Sequence, residues 1–380
     1  MAQSSNPPFL FGVRVSGDSF TDRRAETERL VSNFSFGINT ILISPRRMGK
    51  TSLVDKVCAI VASNDIKVAQ IDAFPCRSEA DFINAFSTAV IKATSSKLEE
   101  WIQNAKQFLS HLAPKFSFGT DPATDFSLSI DFNLASRSAD DILQLPELIA
   151  TQKNIKIVVC IDEFQQIGEF DNSLSFQKKL RSVWQKQEHV SYCLYGSKHH
   201  LMSQMFQDQS YPFYRFGDII YLGKISEDDW VDFICRRFAD TGKSISHDLA
   251  QRICQVTSRH SSYVQQLCYL LYLRTDISAT NDALDAAIDA LLDTTEPLFI
   301  QQTEDLSAYQ MNFLHALTDG ISTGFTQQRI LSQYNLGTPA NITRLRKSLT
   351  DKDLITSPTP KILEIADPIL ALWLKRRFWK

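Results

Sequence analysis

Short runs of Val, Ile and Leu with little polar alternation recur through the first 225 residues: Ile38 to Ile43, Ile66 to Ile71, Ile155 to Ile161, Val190 to Tyr195 and Asp218 to Leu222. Such runs suit strands buried on both faces of a parallel sheet. Stretches with helical periodicity lie between them, among them Lys50 to Ala62 and Glu79 to Ala93. Strand and helix in repeated alternation predict an α/β layered sandwich. One segment breaks the rhythm. Phe116, Phe118, Phe126, Leu128, Ile130, Phe132 and Leu134 fall on alternate positions, with Gly119, Asp121 and Pro122 between the two halves. This predicts an antiparallel hairpin over about 115–134, inserted between two core strands. It reads either as decoration of the sheet edge or as a protein–protein contact.

Beyond Gly223 the pattern turns helical. Ser226 followed by Glu227, Asp228 and Asp229 predicts a capped helix start with acids where the dipole favours them. Val264, Leu267, Cys268 and Leu271 keep the spacing of one buried helix face. A polar junction at Glu304, Asp305 and Ser307 precedes two amphipathic stretches, Tyr309 to Leu317 and Gln327 to Tyr334. Thr338-Pro339 predicts the cap and first position of a third helix, burying Ile342, Leu345 and Leu349. A returning strand over Lys361 to Ile365 completes the element order of a winged helix-turn-helix. The expected division is therefore 1–225 for the layered core, 226–303 for a helical domain and 304–380 for the winged helix.

Composition narrows the class. With 43% hydrophobic and 22% charged residues the chain has the make-up of a packed protein rather than a disordered one. No apolar run approaches the length of a membrane helix. The opening Met1 to Pro8 has neither the basic nor the apolar region of a secretory signal. Seven cysteines without a CxxC pair argue against a disulfide framework or a zinc knuckle. A cytoplasmic protein is expected. The net charge of −3 hides a bias: Ser307 to Lys380 carries +5 and the remainder −8. A basic tail on an acidic body hints at an anionic partner.

The chemistry concentrates at two points. In Thr40-Ile-Leu-Ile-Ser-Pro-Arg-Arg-Met-Gly-Lys-Thr51 a buried strand ends, a loop follows, and Gly49-Lys50-Thr51 opens a helix, which is the setting of a P-loop. Backbone N–H groups and the helix N-terminus suit phosphate oxygens. Lys50 adds a full charge for the β- and γ-phosphates, and the Thr51 hydroxyl is a Mg²⁺ ligand. Gly49 lets the backbone come close. Ser44 stands where the usual pattern has its first glycine. Arg46 and Arg47 lie inside the loop, where each reaches a phosphate, reaches a partner, or is simply solvated. The second point is Ile157-Val-Val-Cys-Ile-Asp162-Glu163, a buried strand ending in paired acids. Asp162 is the candidate for the metal and Glu163 for the general base. Both points are expected to converge on one triphosphate, making ATP and Mg²⁺ the cofactors.

In these residues the chain resembles the archaeal/bacterial ATPase family of the AAA+/STAND-related superclass. Asn6-Pro-Pro-Phe-Leu-Phe-Gly12, Val15-Ser-Gly17 and Phe20-Thr-Asp-Arg23 are similar to its opening segment, which implies that Phe20 and Arg23 lie near the nucleotide. Pro45-Arg46-Arg47-Met48-Gly49-Lys50-Thr51-Ser52-Leu53 is similar to its P-loop, Ile161-Asp-Glu-Phe-Gln165 to its Walker B strand, and Ala366-Asp-Pro368 with Trp373 to its closing stretch. The resemblance implies a five-stranded parallel core with the P-loop strand central, a helical lid and a winged helix. It also implies a sensor at Ser197 and a phosphate contact for Arg215, in cis or across a subunit contact. His260-Ser-Ser-Tyr263 departs from the Gly-x-Pro turn usual in relatives.

On the winged helix, Arg344, Arg346 and Lys347 are candidates for DNA phosphates and Asn341 for base edges. Docking of a protein is the other reading of that domain. The expected function is an ATP-dependent molecular switch, in which Mg-ATP binds between core and lid and hydrolysis rearranges the lid and winged helix, with self-association that depends on nucleotide. The alternative is a DNA-binding protein whose nucleotide is mainly structural. A phosphotransferase comes third, for want of a recognisable acceptor lid.

Overall fold

The computed structural model describes residues 7–95, 100, 116–119, 127–130, 138–359 and 361–379. In the first two thirds of the chain the strands are β1 (Thr40–Ile43), β2 (Ile66–Asp72), β3 (Phe116–Gly119), β4 (Ser127–Ile130), β5 (Lys156–Asp162), β6 (Val190–Gly196) and β7 (Asp218–Tyr221). Five of them form a wholly parallel sheet in the order β2-β5-β6-β1-β7, so the P-loop strand β1 lies inside the sheet. Strands β3 and β4 pair antiparallel in the expected hairpin, and the remainder of 115–134 lies outside the described residues. Helices α1 (Arg24–Phe36), α2 (Lys50–Val61), α3 (Glu79–Ala93), α4 (Ser138–Leu143), α5 (Leu145–Lys153), α6 (Ser173–Trp184) and α7 (His199–Gln207) alternate with the sheet strands.

The two sheet faces are built differently. Because side chains alternate along a strand, Ile41, Ile43, Ile157, Val159, Ile161, Tyr192 and Leu194 share one face, packed against Phe82, Phe86, Phe164, Phe176, Trp184 and Phe213. Trp184 stacks on Tyr192 with centroids 4.1 Å apart. Each such fully buried aromatic contributes about 1.5–3 kcal/mol of transfer free energy. The opposite face carries Cys160 and Asp162 of β5 and Cys193 and Tyr195 of β6. Helix α2 covers it, since Cys58 of α2 touches Cys160 with sulfurs 3.7 Å apart.

The chain divides into two compact units, one from Arg23 to Gly223 and the other from Lys224 onwards together with the residues before Arg23. The sequence reading assigned the N-terminal segment to the layered core. It groups instead with the helical unit, because Phe9 is buried there beside Phe238 at 5.4 Å. Arg237 donates to the Pro8 carbonyl at 2.8 Å. The Gln265 side chain holds the same segment twice, accepting from Leu10 N and donating to the Ser19 carbonyl, each at 3.3 Å.

In that unit follow α8 (Glu227–Ala239), α9 (His247–Val256), α10 (Ser261–Leu273), α11 (Asn281–Glu304), α12 (Ala308–Thr318), α13 (Gln328–Gln333), α14 (Pro339–Asp351), β8 (Ile355–Thr359), β9 (Ile362–Ile365) and α15 (Pro368–Trp373). Ser226 caps α8 as expected, accepting from Asp229 N at 3.1 Å. Thr338 is extended before α14 but makes no side-chain cap bond. One apolar core runs from α8 through α15. Polar ties reinforce it: Tyr263 donates to Asp367 at 2.5 Å, Trp373 Nε1 to Glu296 at 3.1 Å, and Arg377 meets Asp293 at 2.7 Å and Glu296 at 2.9 Å. No helix among the described residues is long and apolar enough to cross a membrane.

Candidate active site

The P-loop turns from β1 into α2 through Gly49, whose φ of +85° lies in the left-handed region. A Cβ there would meet nothing within 4 Å, so the backbone conformation itself is what calls for glycine. Ser44 is wholly buried and donates to the Pro45 carbonyl at 3.1 Å, filling the place of the usual first glycine. Pro45, Arg46 and Arg47 are exposed on the loop, and Arg47 has a φ of +59°. Met48 and Ser52 are buried. Arg23, also buried, directs its guanidinium to the Met48 carbonyl at 3.5 Å and to Glu26 at 3.1 Å. Its place is therefore behind the loop, bracing it. Phe20 belongs to the other unit.

Two residues 111 positions apart meet here: the Thr51 hydroxyl donates to Asp162 Oδ2 at 2.9 Å. The other Asp162 oxygen accepts from Glu163 N at 2.9 Å. Lys50, at the first position of α2, is only 6% exposed, yet its ammonium makes no hydrogen bond or ion pair among the described residues. Burial lowers its pKa, the Glu163 and Asp162 charges oppose this, and Arg46 adds to it. Burial likewise pushes the Asp162 carboxyl up, against the Thr51 hydrogen bond and with the help of Glu163. A desolvated ammonium with its donors unused fits a phosphate; a hydroxyl and a carboxylate in contact fit a hard divalent cation. The residues present thus suit Mg-ATP.

Glu163 directly follows β5, with a φ of +49°. A left-handed non-glycine residue costs on the order of 1 kcal/mol or more, and such strain tends to persist where the surroundings hold it. The holding groups are visible. Ser197, at the end of β6, donates its hydroxyl to Glu163 Oε2 at 2.9 Å and its N–H to the same oxygen at 3.3 Å. Gln165 Nε2 donates to that oxygen too. Glu163 Oε1 has no partner among the described residues. Gln165 lies in the strand-end motif without any motif signal of its own for this role. A Cβ on Gly196 would stand 1.8 Å from Gln165 Oε1, so the glycine before Ser197 makes room for that amide.

Next to these groups Tyr195 is 2% exposed, and its hydroxyl has no hydrogen-bond partner among the described residues. Burial, and then the Asp162 carboxylate, push its phenol well above the ordinary tyrosine value. Arg215 lies apart. It is exposed with a φ of +53°, its guanidinium 5.2 Å from the Tyr214 ring and without an acidic partner among the described residues.

On α14, Arg344, Arg346 and Lys347 are exposed and unpaired among the described residues. Asn341 is different. Its Nδ2 donates to the Leu336 carbonyl at 3.0 Å, tying down the turn before the helix. Its Oδ1 makes no hydrogen bond among the described residues.

Residues 297–376 match the family described as a probable winged helix domain. Among solved structures, the chain is similar to the Walker-type ATPase PABY2304 of Pyrococcus abyssi, with 16% identity, 98% of this chain and 99% of that chain covered, and a TM-score of 0.67. It is also similar to the Aeropyrum pernix ORC2 protein, solved as ADPNP-ADP complexes, with 17% identity, coverage of 98% and 94%, and a TM-score of 0.57. No curated protein matches the chain. Sheet order, P-loop corner and these likenesses together give the fold: a five-stranded parallel P-loop core like that of these two structures, followed by a winged helix domain.

Proposed function

We propose that the chain binds Mg-ATP at the P-loop corner and hydrolyses it. The observation that carries this reading is the Thr51–Asp162 hydrogen bond beside the buried, unpaired Lys50 ammonium. Lys50 and the N–H groups at the start of α2 bind the phosphates. Thr51 and Asp162 hold the Mg²⁺, which when bound neutralises phosphate charge. Glu163 takes the proton of the attacking water at Oε1, while Ser197 and Gln165 fix the other oxygen and with it the orientation of the carboxylate. Arg23 braces the loop. The exposed, unpaired state of Arg215 supports a phosphate contact, within one chain or across a contact between copies.

Hydrolysis acts, in this reading, as a switch. The shared core and the Tyr263, Trp373 and Arg377 ties support movement of the helical domain (226–303) and winged helix (304–380) as one body. A second reading, contact with duplex DNA, is favoured by one observation: three neighbouring cations on α14 lie exposed without partners among the described residues. Docking of a protein on that domain makes no such demand for free cations.

Glu163→Gln tests the assignment. ATP binding should persist while turnover falls by about 10²–10⁴-fold. Phosphate release at the wild-type rate would remove Glu163 from the role of base. Measuring turnover with and without duplex DNA separates the two readings of the winged helix.

A further inference from the structure

We propose that the Tyr195 hydroxyl is a positioning group of the site, holding a water of the Mg²⁺ hydration shell against the Asp162 carboxylate. The inference rests on the Mg-ATP reading above.

Strand register places the hydroxyl. Cys160 of β5 pairs with Cys193 of β6, and Ile161 with Leu194. One step further along both strands, Asp162 and Tyr195 come side by side, and paired residues of a parallel sheet point to the same face. That face is the one under α2: Cys160 touches Cys58, and Asp162 accepts from Thr51, which stands two helical turns before Cys58. Tyr195 pairs on its other side with Leu42 of the P-loop strand. Its phenol is thus enclosed by the P-loop strand, the P-loop helix and the strand that delivers Asp162.

A tyrosine here calls for a reason. Every residue of β6 is buried, and a leucine or phenylalanine would fill such a position without a polar atom to satisfy. Tyr192, three residues earlier on the opposite face, donates its hydroxyl to Gln187 at 2.6 Å. Tyr195 has no such acceptor among the described residues. The phenol is packed inside the fold, but its oxygen is not among the atoms sealed from solvent, so a water can reach it on the face it shares with Asp162. At neutral pH the phenol is a donor, whereas the carboxylate and a cation's waters leave acceptor sites open. A water between them satisfies the hydroxyl and orients the carboxylate that receives the metal, in the manner of outer-shell partners elsewhere.

Tyr195→Phe isolates the oxygen. In the metal-free state the variant should melt close to the wild type, because the hydroxyl it loses makes no bond within the described chain. Fluorescent ATP analogue binding in EDTA should be unchanged, which establishes an intact P-loop. The gain in affinity on adding Mg²⁺ should fall by about fivefold, and Mn²⁺ binding to the nucleotide complex, read by electron paramagnetic resonance, should weaken to a similar degree. Metal-dependent gains equal to those of the wild type would overturn the inference. A loss of analogue binding in EDTA would also overturn it, showing that the hydroxyl shapes the P-loop rather than the metal shell. If the wild type itself gains nothing from Mg²⁺, the Mg-ATP reading fails and this inference with it.

Discussion

The P-loop corner and the basic helix α14 both present polar side chains, but under opposite physical conditions. At the corner, Lys50, Asp162 and Tyr195 are partly or wholly desolvated, and two of the three make no direct bond that would repay it. On α14, Arg344, Arg346 and Lys347 stand in water, where an unpaired cation costs nothing. Only the first arrangement is difficult to explain without a ligand, because burying an uncompensated polar group is expensive. Exposure of a cation permits a phosphate contact; burial of one nearly requires it.

Three measurements would break or sharpen that contrast. Lys50→Ala removes a charge-assisted contact worth about 1.5–3 kcal/mol, so ATP affinity should fall by about 10–100-fold in an equilibrium titration. Unchanged affinity would place the phosphates elsewhere. Next in size, Arg344→Ala and Arg346→Ala should each lower the log–log salt slope of duplex DNA binding by about 0.9 if each meets a phosphate. Filter binding over a salt series reads this directly, and slopes equal to the wild type would leave α14 a solvated face.

The smallest effect concerns stability. The folded-state pKa of Asp162 is raised, so its favourable contribution exists below the ordinary carboxylate range and is lost as pH rises through the folded value. That of Lys50 is lowered, so its contribution exists above the ordinary lysine value and is lost as pH falls through the folded one. In each group it is the charged form that burial disfavours. Asp162→Asn should raise the melting temperature of the nucleotide-free protein at neutral pH, with a gain that shrinks on acidification. It should also abolish the further stabilisation given by Mg²⁺ with ATP, as scanning calorimetry over a pH series would show.

Much of this was legible beforehand. The helix expected over Glu79 to Ala93 has those bounds, β2 runs one residue past its expected end, and β5 is shifted by one residue at each end. Apolar runs and caps are local signals. Gly49-Lys50-Thr51 and Asp162-Glu163 were readable too, because each motif is contiguous. What could not be read was the partner of each group. Ser197 reaches Glu163 across 34 residues, and only the β5–β6 pairing brings them together. The Leu336 carbonyl that takes the Asn341 amide N–H lies in the turn before α14, outside the helix pattern that singled Asn341 out. Phe9 sits in a proline-bordered run that resembled part of the core, yet its partner Phe238 lies far along the chain. The side of the sheet on which Tyr195 falls depends on register, to which a single strand's sequence is blind.

The burial of Phe9 bears on how the chain matures. Everything from Arg23 to Gly223 is in effect an insertion into the unit that begins before it and ends after it. During synthesis the inserted portion has all its strands in hand before α8 exists, and domains fold as they become complete. Phe9 and Leu10 must then wait, with their apolar surface uncovered, until Phe238 and Gln265 leave the ribosome. The nascent protein thus passes through a stage in which its P-loop corner is assembled while its leading strap is still searching for a seat.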